Sequence, residues 1–141
     1  MKHIIVVAAV IRYEGKILCM QRNTSKHAYL SYKYEFPGGK VEVGETHEAA
    51  LKREIKEELE LDIVLDKEFV TVEHEYPDFK LTMYSWLCTA PGLEFTLKEH
   101  VAFQWLSVGE LRSLDWAAAD IPIVEKLMEP QLTYGSTIAG K

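Results

Sequence analysis

Apolar and polar residues alternate in short blocks along this 141-residue chain, and the blocks predict strands mixed with a few helices. Runs of apolar, β-branched and aromatic residues bounded by turn residues are typical of strands. They predict strands at residues 3–12, 16–22, 34–36, 62–76, 80–90 and 103–106. The turn residues at 13–15 and at 77–79 each separate two such runs, and both predict hairpins.

Three other segments carry helix signals. The longest lies within residues 39–61, where apolar residues recur at four-residue spacing, at Leu51, Ile55 and Leu59. Ser107 with Glu110 three residues later is a capping-box pattern, which predicts a short helix over residues 108–114. A last helix is predicted over residues 121–128. Because these helices do not alternate regularly with the strands, we expect an α/β fold with a mixed sheet and helices on both faces.

Length and charge limit the domain organisation and the class of partner. We predict a single domain over residues 1–130, large enough to bury a core, and a loose tail over residues 131–141, which are small and polar. The formal net charge of −6 arises from 16 Lys and Arg against 22 Asp and Glu. It argues against a nucleic-acid polymer as partner, because such binding needs many cationic side chains. A small nucleotide is compatible with this charge if metal ions lie between the two sets of negative charge.

The first residues and the cysteines indicate a cytoplasmic protein. The N-terminal apolar run is too short to span a bilayer and lacks a cleavage site for secretion, so no membrane association is expected. Cys19 and Cys88 each lie inside a predicted strand, and two cysteines without a secretory signal give no disulfide framework. We therefore predict two buried thiols in a reducing compartment.

Three glutamates are the candidate chemistry of the helix within residues 39–61. Glu54, Glu57 and Glu58 fall within an arc of about 100° beside the apolar stripe, because a helix turns about 100° per residue. Carboxylate oxygens along the edge of a cleft suit a hard divalent cation such as Mg²⁺. The alternative is a solvated charged helix, in which Arg53 supports Glu57 as an i,i+4 pair. The glycine-rich segment before the helix favours the metal site.

The spacing of residues 39–61 resembles the signature of the Nudix hydrolases. That signature is Gly, five residues, Glu, seven residues, Arg-Glu, an aliphatic residue, any residue, Glu-Glu, any residue, Gly and an aliphatic residue. The chain matches it at Gly39, Glu45, Arg53, Glu54, Ile55, Glu57, Glu58 and Leu61. Glu60 stands where the family has glycine, and because glutamate adopts a left-handed conformation only at some cost, we expect a differently shaped helix end. The resemblance implies an α/β/α sandwich with a mixed sheet.

Hydrolysis of a phosphoanhydride needs an activated water and shielding of the phosphate charge, and clustered divalent ions supply both. From the residues alone, Glu54, Glu57 and Glu58 offer metal-binding oxygens, and one of them could instead take a proton from water. Arg53 is a candidate for orienting a neighbouring carboxylate. A glycine turn at Gly38 would let a backbone carbonyl approach a metal closely. The resemblance implies that Gly38 gives this carbonyl, that Glu57 and Glu58 are ligands, and that Glu54 is a ligand or the general base. The predicted ion is Mg²⁺, with Mn²⁺ as the alternative.

Within the family, the chain resembles the MutT-like nucleoside triphosphate pyrophosphohydrolases over nearly its full length, and among them the bacterial CTP pyrophosphohydrolases. The shared phrase over residues 35–40 makes Glu35 and Lys40 substrate-binding candidates. Glu99 aligns with a distal carboxylate that completes the metal site in this group. Arg22 resembles a phosphate-contacting arginine, and a plain surface charge at the end of a strand is its alternative.

Asp120 is the candidate for reading the base of a nucleotide. MutT itself has asparagine at the matching place, and an amide offers a donor and an acceptor, whereas an ionised carboxylate only accepts. Cytosine presents an exocyclic amine donor, which an aspartate suits. Asp120 could instead cap the last helix, with Pro122 in its first turn.

The sequence therefore predicts a metal-dependent enzyme that converts a nucleoside triphosphate to the monophosphate and pyrophosphate, with cytosine or modified nucleotides as substrates and nucleotide-pool cleansing as its role. The alternatives are a Nudix hydrolase of the 8-oxo-dGTP type, of a sugar nucleotide or of a dinucleoside polyphosphate. A non-catalytic nucleotide-sensing module is the alternative from another class. The sequence leaves open whether the chain is a monomer or a homodimer.

Overall fold

The computed structural model describes residues 1–130, and within them one mixed sheet is covered by helices on both faces. The predicted loose tail at 131–141 lies outside the described residues. The strands are β1 (Lys2–Tyr13), β2 (Lys16–Gln21), β3 (Tyr34–Glu35), β4 (Gly38–Lys40), β5 (Val64–Glu75), β6 (Phe79–Thr89) and β7 (Ala102–Leu106). The helices are α1 (His47–Leu59) and α2 (Ile121–Met128), with 3₁₀ turns at Val108–Ser113 and Ala118–Asp120. The predicted mixed α/β fold is confirmed.

β1 is the central strand of the sheet. It pairs in parallel with β6 along its length and antiparallel with β2 and β4. Alternate side chains of β1 enter two separate cores: Val7, Ala9 and Ile11 pack with the buried face of α1. Ala8 and Val10 pack on the opposite face with residues of α2. Burial on both faces explains why this strand is a continuous apolar run instead of an alternating one.

Both predicted hairpins are confirmed. β1 and β2 are antiparallel and joined by Glu14 and Gly15, whose φ angles of 47° and 78° fit a tight turn that follows the twist of the strands. β5 and β6 are also antiparallel, with irregular register near Asp66 and Val70. The predicted buried thiols are confirmed, since Cys19 and Cys88 are both buried. This burial raises the pKa of each thiol to about 12.

The glycine pair before α1 is part of a strand, and its interpretation as a turn is wrong. Gly38 and Gly39 belong to β4, which pairs with Val6, Val7 and Ala8 of β1. A Cβ atom on Gly38 would collide with the carbonyl oxygen of Val7, and one on Gly39 would collide with the Glu54 carboxylate. Glycine is required because neighbouring atoms leave no room for a Cβ atom: β1 lies too close to Gly38, and a side chain of α1 lies too close to Gly39. An unusual φ angle is not the reason.

α1 begins and ends with local caps. The Thr46 side chain accepts a hydrogen bond from the Ala49 N–H at 3.1 Å. At the other end Glu60 has φ 55° and ψ 37°, and its N–H donates to the Lys56 carbonyl. The expectation of a differently shaped helix end is therefore wrong, since glutamate takes the left-handed conformation that glycine would take. For a residue with a side chain, this conformation costs about 1–2 kcal/mol.

The segment between β7 and α2 covers the second face of the sheet. The predicted capping box is present, with the Ser107 N–H donating to Glu110 Oε1 at 3.0 Å, although the turn that follows is a 3₁₀ turn. α2 packs Ile123 and Val124 into the core. None of the helices formed by residues 1–130 is long and apolar enough to cross a membrane.

Candidate functional site

A cleft of about 770 Å³ opens between β1, β4 and the loops around them. Gly38, Gly39, Lys40, Glu58 and Glu99 line one part of it. We call this region, together with Arg53, Glu54 and Glu57, the carboxylate end. A second part is lined by Asp120 with Phe36, Tyr76 and Ala119, which we call the Asp120 end. The fold thus brings predicted site residues that are far apart along the chain to one cleft.

Arg53 organises the carboxylate end. Its Nε and Nη2 donate to the two oxygens of Glu45 at 2.6 and 2.9 Å. Its Nη1 donates to Glu54 at 3.1 Å and to Glu57 at 3.2 Å, and Nη2 also reaches the Lys40 carbonyl at 3.1 Å. The bidentate pair with Arg53 lowers the pKa of Glu45 to about 2. The guanidinium therefore joins α1 to β4 and contacts Glu54 and Glu57, two of the predicted ligands.

Glu58 is the acid of the carboxylate end whose charged form is least favoured by its surroundings. Its Oε1 is buried and has no hydrogen-bond partner within the described part of the chain. Burial, followed by the neighbouring charges of Glu54, Glu99 and Glu35, raises the pKa of Glu58 to about 8. Burial also raises the pKa of Glu54, although Arg53 opposes that shift. Several acids therefore share one region, and Glu58 has no ion pair with a cationic side chain of the described residues.

Glu35 is held by the protein through both of its oxygens. Arg22 Nη1 donates to Glu35 Oε1 at 2.9 Å, and His100 Nε2 lies 2.8 Å from Glu35 Oε2. Glu35 was predicted to bind substrate, but both oxygens are engaged by these side chains. Arg22 is neither fully exposed nor free, because its side chain is 34% exposed and ion-paired with Glu35. His100 was missed, since a single histidine in a loop carries no periodic signal.

Asp120 is buried at the far end of the cleft, with 5% of its surface exposed. Its Oδ1 accepts a hydrogen bond from the Phe36 N–H at 3.0 Å. Its side chain makes no capping bond to α2, so the helix-cap interpretation of Asp120 is wrong. Burial, followed by the charge of Glu35, raises the pKa of Asp120 well above its ordinary value.

Aromatic side chains form a wall beside Asp120 that the sequence did not predict. The Tyr76 hydroxyl accepts from the Ala119 N–H at 2.9 Å and so fixes the residue before Asp120. Tyr29 stacks on Tyr76 with ring centroids 5.2 Å apart, and its hydroxyl donates to Asp78 at 2.8 Å. Only the packing of two distant loops brings these rings together, so no local sequence pattern could have revealed them.

In comparison with protein families, the NUDIX domain matches residues 1–127 of this chain. The chain belongs to the NUDIX domain family. It is 34% identical over 127 residues to the 8-oxo-dGTP diphosphatase of Escherichia coli, covering 90% of this chain and 98% of that one. It is 38% identical over 131 residues to the Escherichia coli CTP pyrophosphohydrolase, covering 91% and 93%. The MutT protein of Methanosarcina mazei has the same fold, with a TM-score of 0.80, 25% identity and coverage of 89% and 93%.

Nudix enzymes generally depend on a divalent metal, and the carboxylate end fits one. The buried, unpaired oxygen of Glu58 is the decisive observation, because a hard cation would satisfy it and offset the repulsion from the neighbouring acids. Within residues 1–130, no group of three or more His, Cys, Asp or Glu side chains is already gathered as a metal site. Arg53 explains part of this absence, because its hydrogen bonds hold one oxygen of Glu54 and one of Glu57.

The predicted residues of this Nudix site differ in their exposure. Glu54 is largely buried, with 16% of its side chain exposed, whereas Glu57 is 60% exposed. Glu99 is an exposed loop residue that reaches the cleft and acts on Glu58 through its charge. Lys40 is exposed at the rim. The site therefore has a buried floor near Glu58 and accessible acids at its edge.

Proposed function

We propose that this Nudix protein hydrolyses a nucleoside triphosphate to the monophosphate and pyrophosphate, using Mg²⁺ or alternatively Mn²⁺. The attacked atom in this proposal is the β-phosphorus. The biological role is the removal of modified or surplus nucleotides from the cytoplasmic pool. The single observation that carries the reaction class is the carboxylate end, where α1 brings several acids to one part of the cleft and, among the described residues, leaves a buried Glu58 oxygen without a partner.

The residues of the carboxylate end divide the work. When bound, a divalent cation supplies charge neutralisation at the phosphate oxygens and acidifies a water molecule. Gly38, Glu57, Glu58 and Glu99 are the groups that would hold it. Glu54 is a further ligand or the general base that accepts the proton of the attacking water. Arg53 keeps Glu54 and Glu57 in place through its Nη1 contacts.

The remaining candidates bind the nucleotide in this proposal. Arg22 and Lys40 offer positive charge to the phosphates at the rim of the cleft. Glu35 acts through Arg22, because its Oε1 accepts from that guanidinium. Asp120 contacts the base with Oδ2, since Oδ1 is already used by the Phe36 N–H. As a hydrogen-bond acceptor, that oxygen suits the exocyclic amine of cytosine.

A specific observation supports 8-oxo-dGTP as a second candidate substrate. Burial favours the neutral form of Asp120, and a protonated carboxyl group offers both a donor and an acceptor, as an asparagine amide does. An aspartate in this environment could therefore read an oxidised guanine. The relatives named CTP pyrophosphohydrolase and 8-oxo-dGTP diphosphatase have comparable sequence identity to this chain. An experiment is therefore needed to choose between the two bases.

The test is product analysis with Mg²⁺ over a panel of substrates. The panel contains CTP, dCTP, 5-methyl-dCTP, dGTP, 8-oxo-dGTP, ATP, ADP-ribose and diadenosine polyphosphates. We expect monophosphate plus pyrophosphate, with cytosine nucleotides leading. A lead for 8-oxo-dGTP would keep the reaction and select the second candidate. Preferred cleavage of ADP-ribose or diadenosine polyphosphates would replace the proposed substrate class, and nucleotide binding without turnover would contradict catalysis.

A further inference from the structure

We propose that His100 is a positioning residue that holds the loop bearing Glu99 against Glu35, and so sets the place of Glu99 at the carboxylate end. The proposal rests on the proposed function, because it assigns Glu99 to the metal site. It concerns the fixed place of one acid, and not the titration of the histidine.

The contact that carries the proposal joins a loop to the sheet across 65 residues of sequence. His100 Nε2 lies 2.8 Å from Glu35 Oε2, and only 7% of the His100 side chain is exposed. Glu35 belongs to β3, which pairs with β2 in the sheet. Because a carboxylate offers acceptors only, the His100 Nε2–H is the donor. The residue directly after Glu99 is therefore fixed to the sheet by its side chain.

Other contacts hold the loop only at positions further from Glu99 or at the surface. They include the Thr96 N–H to the Leu59 carbonyl at 2.9 Å, the Val101 N–H to the Gln21 carbonyl at 3.0 Å, the Trp105 Nε1–H to the Leu93 carbonyl at 3.2 Å, and the Lys98–Glu60 ion pair at 2.9 Å. The Lys98 and Glu60 side chains are 43% and 54% exposed, and exposed pairs contribute little. Among the described residues, His100 therefore provides the buried side-chain anchor beside Glu99.

The second ring nitrogen argues against a purely structural role for His100. Nδ1 is buried and has no hydrogen-bond partner in residues 1–130. An unpaired buried polar group is unfavourable, which offsets part of the gain from the contact with Glu35. We therefore expect the loss of His100 to affect the geometry of the site more than the fold.

The same chain of contacts continues beyond Glu35. Arg22 Nη1 donates to the other Glu35 oxygen at 2.9 Å, so Glu35 ties the Glu99 loop and a cationic side chain of the cleft together. A carboxylate with a partner on each oxygen has little freedom to rotate. This rigidity makes Glu35 a suitable support for a loop that must present its acid at a fixed place.

The test compares two amides at position 100. The side-chain nitrogen of glutamine reaches the place of Nε2, whereas that of asparagine corresponds to Nδ1 and falls short of Glu35. Mn²⁺ binding to the free enzyme is measured by electron paramagnetic resonance, alongside thermal unfolding in EDTA. We expect H100N to weaken Mn²⁺ binding by roughly 10-fold and H100Q to stay within about 3-fold of the unsubstituted protein, since supports of metal ligands act at about this scale. K98A is the matched loop control and is expected to bind Mn²⁺ normally.

The outcomes separate this inference from the proposed function. If the unsubstituted protein binds Mn²⁺ and turns over nucleotide while H100N binds Mn²⁺ equally well, the positioning role is overturned and the proposed function stands. If the unsubstituted protein neither binds Mn²⁺ nor turns over nucleotide, the proposed function fails first. Equal losses in H100N and H100Q would overturn the assignment of the Nε2 contact.

A double substitution tests whether His100 acts through Glu35. We expect H100N/E35A to weaken Mn²⁺ binding no more than the worse of the two single variants, because both break the same contact. Multiplying losses would show independent roles and overturn the link through Glu35.

Discussion

The carboxylate end and the Asp120 end of the cleft both rely on acidic side chains, but they are built in opposite ways. At the carboxylate end, Glu54, Glu57 and Glu58 come from one helix, and Arg53 of the same helix holds two of them. At the Asp120 end, one buried acid accepts the N–H of Phe36, a residue 84 positions away. The glutamates of α1 are grouped by local helix geometry, whereas Asp120 is placed by a tertiary contact.

In the proposed function, this difference separates reaction chemistry from substrate selection. The acids of the carboxylate end repel one another, so they are suited to a partner of opposite charge that many substrates could share. Asp120 is almost fully buried and accepts one backbone hydrogen bond. Whether its carboxyl group donates or only accepts therefore depends on its surroundings. We expect substitutions at the first end to change the rate for all substrates, and substitutions at the second to change the preference among them.

The largest effect is expected from removal of one charge at the carboxylate end. Glu57→Gln nearly keeps the shape of a side chain that is 60% exposed, so the fold should be retained. The loss of a ligand charge should lower kcat by roughly 10³-fold for every substrate, because cation binding contributes several kcal/mol of charge stabilisation. Steady-state kinetics with Mg²⁺ measure this.

Glu48→Gln is the matched control for Glu57→Gln. Glu48 lies in the first turn of α1 and is exposed, so the same chemical change should leave kcat within about 2-fold. Near-normal turnover of the Glu57 variant would remove this residue from the metal site.

The next largest effect is expected at Asp120. Asp120→Asn keeps an oxygen for the Phe36 N–H and changes only what the second position offers. The kcat/KM ratio of CTP to 8-oxo-dGTP should fall by about 10- to 100-fold, since a base-reading contact is worth about 1–3 kcal/mol. Competition assays with both nucleotides measure the ratio directly.

Asp115→Asn is the control for the Asp120 substitution. Its side chain is 74% exposed and pairs with Lys33 outside the cleft lining, so the ratio should not change. An unchanged ratio in Asp120→Asn, with an equal loss for both substrates, would contradict the division between the two ends.

A smaller effect, on stability, is expected at Glu58. Its pKa is raised from 4.5 to about 8, so between these values the unfolded chain releases a proton that the folded chain keeps. Stability should therefore fall as the pH rises from 4.5 to about 8. Glu58→Gln removes this loss and should raise the free energy of unfolding at about pH 8 in EDTA by about 1–2 kcal/mol, after allowance for solvent screening. Urea unfolding at several pH values measures it.

Two further results should contrast with the pH dependence expected for Glu58: the effect of Mg²⁺ on stability, and the pH dependence that Glu45 contributes. Mg²⁺ should stabilise the unsubstituted protein at about pH 8 and have much less effect on Glu58→Gln. The pKa of Glu45 is lowered to about 2, so its contribution to stability is present above pH 4.5 and is lost as the pH falls toward 2. A Glu58 variant that is less stable than the unsubstituted protein at about pH 8 in EDTA would refute the charge argument.

Sequence patterns predicted the strands and the grouping of three glutamates on α1 because both are local. The continuous apolar run of β1 reports burial on two faces, and the spacing of Arg53, Glu54 and Glu57 fixes their neighbourhood on α1. Each of these features follows from the regular spacing of side chains along a strand or a helix. The backbone geometry of a helix or strand is thus enough to predict them.

Contacts between distant segments could not be predicted in the same way. The pairing of Glu35 with His100 and the burial of Asp120 depend on how loops pack over the sheet. Gly38 was predicted as a turn because glycine is common in turns, whereas the chain needs it for the close approach of β4 to Val7. In each case the deciding partner is remote in sequence.

The smallest effect is expected at Glu60, the one residue of the motif that departs from the family pattern. Its φ of 55° is left-handed, which glycine adopts without the penalty that a side chain brings. Glu60→Gly should therefore raise the free energy of unfolding by about 1 kcal/mol, while kcat changes by less than about 2-fold because the Lys98 pair that it breaks is exposed. Thermal unfolding and kinetics on one preparation measure both, and Lys98→Ala separates the backbone gain from the lost ion pair. A large fall in kcat would show that the carboxylate end extends to the end of α1, and that its chemistry depends on the Glu99 loop being held from both sides.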